Sequence, residues 1–168
     1  MGTTAVIYRI ILLGHIAAAI VGFGGLIAHG TFHAQAVRSD PRSARSLLST
    51  TVAVSRWANN SLYAVFALGI VLIALSDDVY GYGELWVSAA FLAWFVIVGL
   101  NHGLVRPARS RLIELADALA SESVETETTA LADHEPARPS LARLALGEGL
   151  TQVLLVVSLA LMIWKPGQ

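Results

Sequence analysis

Cysteine is absent from the 168-residue chain, and its sulfur is confined to two methionines, Met1 and Met162. That excludes disulfides, thiolate metal sites, iron–sulfur clusters and cysteine nucleophiles, and it weakens copper transport, because copper(I) prefers soft sulfur ligands. Charge is equally scarce: 14% of residues are charged and 55% are apolar, against about 25% charged in ordinary soluble domains. With a formal net charge of -1, no strongly basic surface invites nucleic acid. No phosphate-cradling loop is present, and nothing resembles a nucleophile with its base.

What remains is apolar sequence long enough to cross a bilayer. A spanning helix needs about 20 mostly apolar residues, and residues 10–28, 57–76, 85–105 and 144–164 qualify. No run shows sustained period-two alternation, and lipid admits only helices or closed barrels. The expected fold is therefore all-α: a single integral membrane domain over 1–168, a four-helix bundle with spans at about 8–32, 57–76, 85–105 and 144–164. The first span exceeds the roughly 7 to 15 residues of a signal-peptide core and is followed at once by Arg38, Arg42 and Arg45, so it reads as a mature helix.

Orientation follows from the basic residues, which are retained on the cytoplasmic side. Arg38, Arg42, Arg45 and Arg56 lie between spans 1 and 2, and Arg106, Arg109, Arg111, Arg138 and Arg143 between spans 3 and 4. Only Arg9 and Lys165 fall on the opposite side, where Tyr8, Tyr80, Tyr82, Trp86 and Trp164 would form an interfacial aromatic belt. Both termini are expected outside, with an acidic cytoplasmic loop at 107–140. In that loop residues 110–119 suit a short surface helix. Residues 121–129 suit a solvated linker, and Pro136 and Pro139 mark a break before the last span.

Along the first span His15, Ala18, Gly22, Gly25, His29 and His33 recur every three or four residues, so they share one helix face. Gly14, Ala18 and Gly22 give it the small-residue spacing of a membrane packing seam. Ionisable groups at membrane depth usually face the bundle interior. On the expected topology His29, Asn59, Asn60, Asn101, His102, Glu148 and Gln152 form one polar layer near the cytoplasmic helix ends, with Arg56 and His33 just outside. His29, His33, His102 and Glu148 are the candidate metal ligands of this layer. A purely hydrogen-bonded layer and a proton or ion path are the other readings. His15 sits about 10 Å below the opposite boundary, with Ser158 and Met162 the nearest candidate partners. It is either a core histidine bonded to a backbone carbonyl or a haem ligand.

Leu13-Gly14-His15-Ile16 followed by Val21-Gly22-Phe23-Gly24-Gly25-Leu26 resembles the first-helix pattern of a bacterial group of four-helix membrane proteins, and Leu161-Met162-Ile163-Trp164-Lys165-Pro166 resembles the close of one member family, a predicted integral membrane family of unknown function. Phe23 stands where the pattern usually has Trp, and His29, His33 and His102 match no family motif. The group includes CopD-type copper-resistance proteins and HemJ-type protoporphyrinogen oxidases, which share the early histidine. The resemblance implies haem b as cofactor with His15 as a ligand, and His29 and His102 are the further candidate haem ligands. The expectation is a multi-pass protein of the bacterial inner membrane that holds haem or a metal between helices for electron transfer or redox sensing. Its partners would be the lipid bilayer and a second copy or a partner membrane subunit. The alternatives are a non-catalytic subunit packing against partner helices, and a proton or ion carrier.

Overall fold

In a computed structural model, residues 3–77, 79–122 and 129–167 are described. Five helices follow one another: α1 (Thr3–Ala36), α2 (Pro41–Ala74), α3 (Leu85–Leu100), α4 (Arg106–Glu122) and α5 (Arg138–Trp164). Among the described residues there is no strand. A π-helical turn, Asn101–Val105, joins α3 to α4 without a break, so the described residues form four helical rods long and apolar enough to cross a membrane. This is the make-up of a multi-pass membrane protein. Leu13, Ile20, Leu92 and Val156 are each more than 60% exposed, as expected of side chains whose solvent is lipid rather than water.

The spans begin and end differently from the sequence reading. α1 and α2 have 34 residues each, about 51 Å at helical rise, far more than the roughly 30 Å of hydrocarbon. The surplus of α2 is its first half, residues 41–56, which reads as a basic loop because it carries Arg42, Arg45 and Arg56. It is helix because Ala44, Leu48, Thr51, Ser55 and Ala58 recur at three and four and are all buried. Asp40 caps it, accepting from the backbone N–H of Arg42 at 3.0 Å and of Ser43 at 3.1 Å. Hydrogen bonds from Ser43, and then from Arg42, hold the Asp40 carboxyl below its ordinary range.

The expected surface helix at 110–119 is likewise the continuation of span 3. The π turn explains the geometry: the Arg106 N–H reaches the Asn101 carbonyl, one residue further than in an α-helix. That wider turn keeps Ile97, Asn101 and Val105, spaced by four, on the buried face. The described residues of 107–140 are therefore not a free loop. Leu131 is fully buried, and the N–H groups of Leu131 and Ala132 donate to the carbonyls of Ser39 and Val37, each at 3.0 Å. Pro136 falls in a 3₁₀ turn and Pro139 in the first turn of α5, which starts at Arg138 rather than near 144. Most of the acidic stretch 121–129 lies outside the described residues.

Two apolar clusters result. In the bilayer-length part, Leu26, Ala58, Leu62, Ile97 and Leu155 pack together. Beyond it, Ala44, Leu48, Leu112, Ala116, Leu131 and Ala137 build a second core where the helices extend past the membrane-length region. α1 and α2 approach most closely along the glycine seam, where Gly25 leaves no room for a side chain against Ala58.

Candidate functional site

Two regions of the bundle carry polar chemistry. At the end towards the helical extensions, four helices converge on a buried cluster. α1 supplies His29 and His33, 3% and 2% exposed, and their rings lie 6.1 Å apart. α2 supplies Thr51 and Ser55, α4 supplies Arg109, and α5 supplies Glu148. Gly30 makes room for the α5 side chains, because a Cβ there would lie 3.0 Å from Gln152 Nε2 and 3.8 Å from Glu148 Oε2.

Hydrogen-bond direction fixes the Nε2 proton of His33. The Thr51 hydroxyl donates to the Leu48 carbonyl at 2.6 Å, so its oxygen accepts from His33 Nε2 at 3.2 Å. His33 Nδ1 then meets Glu148 Oε1 in a close contact. With Nε2 already protonated, that contact requires one proton shared between imidazole and carboxyl. On the other side Arg109 Nη1 donates to the Ser55 hydroxyl, whose oxygen also pairs with His29 Nε2 at 3.1 Å. Arg109 is 6% exposed, and Glu148 is the nearby opposite charge that acts on it. The carboxylate thus serves two partners at once, the shared proton and the guanidinium.

The polar layer read from the sequence is therefore divided. His29, His33 and Glu148 are brought together, with His33 at the centre rather than outside. Asn59 and Asn101 pair with each other, Asn101 donating its amide N–H. His102 is not part of the cluster: it is exposed, and its Nε2 pairs with the Tyr63 hydroxyl at 2.9 Å on the outer face of the bundle. The set His29, His33, His102 and Glu148 is not assembled, and no group of three or more His, Cys, Asp or Glu suited to a metal ion occurs among the described residues. The physical reason is helix phase. His102 follows the buried Asn101 directly, and one residue along a helical turn swings the side chain by about a quarter turn, off the buried face.

Thr51, Ser55 and Arg109 escaped the sequence reading, because the segments carrying them were taken as loop. The signal was present as two hydroxyl residues at i and i+4 within the stripe Ala44, Leu48, Ala58, Leu62, and an arginine within the stripe Val105, Ala108, Leu112, Ala116.

The second region lies at the end that carries both termini. His15 faces an apolar cavity of ≈ 660 Å³ between α1, α2, α3 and α5, walled by Phe23, Phe66, Phe91 and Trp94 and also lined by Met162. Phe66 and Trp94 stack with centroids 4.1 Å apart, and the Trp94 indole donates to the Leu62 carbonyl at 3.0 Å, so this wall is rigid. Gly69 lies against the imidazole, where an added Cβ would come within 3.4 Å of its Cε1. The backbone carbonyl of Val65 interacts with the imidazole. Its buried Nδ1 has no hydrogen-bond partner among the described residues. Ser158 does not supply one, since its hydroxyl donates to the Leu154 carbonyl at 2.8 Å. His29 takes no part in this cavity, being held by Ser55.

No protein-family model, curated protein or solved structure matches the chain.

Proposed function

We propose that this multi-pass protein holds a flat, largely apolar redox cofactor, haem b in the first instance, in the cavity faced by His15, for electron transfer or redox sensing. The observation that carries the reading is that His15 lines a ≈ 660 Å³ apolar cavity together with Phe66, Trp94 and Met162. A few polar groups in an otherwise apolar lining, here an imidazole, mark a ligand site, and the volume is that of a small-molecule site, about 300–1,000 Å³. The residues fit the group: His15 would be the nitrogen ligand, Met162 offers a thioether on the same lining, and both are common axial ligands of haem iron. When bound, haem supplies one-electron chemistry. The protein's part is to orient His15 through Gly69 and Val65 and to exclude water with the Phe66–Trp94 wall. The nine arginines on or beside the helical extensions, against Arg9 and Lys165 at the other end, support an N-out, C-out orientation in a bacterial inner membrane.

Purified protein in detergent should show a Soret band that His15→Ala abolishes or shifts while helical content stays intact. A colourless protein that also fails to take up added haem refutes the proposal. A second reading, a subunit that packs against partner helices, rests on the Tyr63–His102 pair, because polar groups exposed at membrane depth are costly against lipid. It predicts that gentle solubilisation retains a partner or a second copy, and that Tyr63→Phe with His102→Leu releases it.

A further inference from the structure

The cavity faced by His15 is apolar except at its end near the termini, where Lys165 is the one charged residue lining it among the described residues. Lys165 is placed there by an unusual backbone. It ends α5 in the left-handed region, φ 42 and ψ 61, with its N–H on the Leu161 carbonyl at 3.0 Å. A non-glycine residue adopts this conformation at a cost. Here the turn leads the side chain back across the bundle, so that Nζ lies 4.2 Å above the Tyr80 ring centroid and 5.8 Å from that of Trp86, and donates to the Tyr80 hydroxyl. An ammonium has three donors, and Tyr80 takes one. None of the ion pairs among the described residues involves Lys165. A cation fixed by two aromatic rings at the rim of an apolar cavity is complementary to one shape of ligand: an apolar body with an acid group at one end.

We infer that the cavity selects an amphipathic carboxylate, whose acid group docks on Lys165 and the Tyr80 hydroxyl while its apolar body extends towards His15. This deepens the cofactor reading above, and it rests on that reading only for the identity of the body, since the two propionates of haem would be such acid groups. Charge-assisted hydrogen bonds are the stronger kind, so losing this one should weaken binding about tenfold or more.

The test uses the full-length protein in nanodiscs and two pairs of probes: ferric protoporphyrin IX with its dimethyl ester, and palmitate with hexadecanol. The inference expects the diacid to bind about tenfold more tightly than the diester. Lys165→Met should remove that preference by weakening only the diacid, and Lys165→Arg should restore it. Equal affinity for diacid and diester, unchanged in Lys165→Met, overturns the inference while leaving the haem reading standing. If neither porphyrin binds, the haem reading fails. Palmitate binding that exceeds hexadecanol binding and depends on Lys165 would then sustain the inference alone. Absence of binding by all four probes overturns both. Lys165 is not in either apolar cluster, and unaltered thermal unfolding of Lys165→Met verifies that its fold is unchanged.

Discussion

The seam between α1 and α2 yields the sharpest quantitative test, because two adjacent glycines make opposite predictions. A Cβ added at Gly25 would lie 2.8 Å from Ala58 Cβ and 3.5 Å from Ala58 Cα, whereas one added at Gly24 meets nothing within 4 Å. Carbon atoms in ordinary contact sit about 3.5–4.0 Å apart, so Gly25→Ala must push the helices apart by roughly 0.7 Å or more. Ala58 cannot yield, since it is 1% exposed and its methyl has no rotamer to change. Overpacking of this kind costs about 1–3 kcal/mol. The helix-propensity gain of Gly→Ala, about 1 kcal/mol in water, largely cancels in a bilayer, where separated helices stay helical. Gly25→Ala should therefore lose about 1–3 kcal/mol, and Gly24→Ala should change stability by less than about 0.5 kcal/mol. Reversible unfolding in mixed micelles, followed by circular dichroism and tryptophan fluorescence, measures both. A Gly25→Ala protein as stable as Gly24→Ala would refute the close approach of α1 and α2 on which the placement of His15, His29 and His33 depends.

Glu148→Leu removes the partner of the shared proton and the charge beside Arg109, and should cost about 3–5 kcal/mol. Glu148→Gln should cost less, because its amide can donate to His33 Nδ1, and the double change Glu148→Leu with Arg109→Leu should recover much of the loss in a thermal-unfolding cycle. Asp40→Ala should destabilise the start of α2 by about 1 kcal/mol at neutral pH. Because the folded carboxyl is held below its ordinary range, the contribution of Asp40 is present in full above the unfolded value near 3.9 and disappears as pH falls through the folded one. The stability difference between wild type and Asp40→Ala should therefore shrink in strong acid, and a difference that does not change with pH would rule out the carboxylate as the stabilising form of the cap. A reporter fused to the C-terminus should be active on the periplasmic side, and cytoplasmic activity would overturn the orientation.

The existence of four apolar rods was legible in the sequence because hydrophobic length is a local property that lipid reads residue by residue. The helical extensions were not. Residues 41–56 carry enough arginine to look like a loop and residues 110–119 look like a short surface helix, and their apolar stripes show their packing only once they face one another and Leu131 in a common core. The site divides in the same way. The histidine face of α1 was visible as a three-and-four spacing, so His29 and His33 were expected side by side. The exclusion of His102 was not visible, because a rotation of one residue on a different helix decides it.

Composition and local order thus determined solvent and rod number: too little charge and no cysteine leave a chain that can bury its backbone only as membrane helices, with the histidines along one of them. Only the tertiary structure decided which polar groups meet. Thr51, Ser55, Arg109 and Glu148 come from three helices distant in sequence, and the approach of α1 to α2 and the π turn before α4 set the phase that turns them inwards. The same packing left His15 beside an open cavity with Lys165 at its rim, since an empty volume belongs to no segment and exists only between helices already assembled.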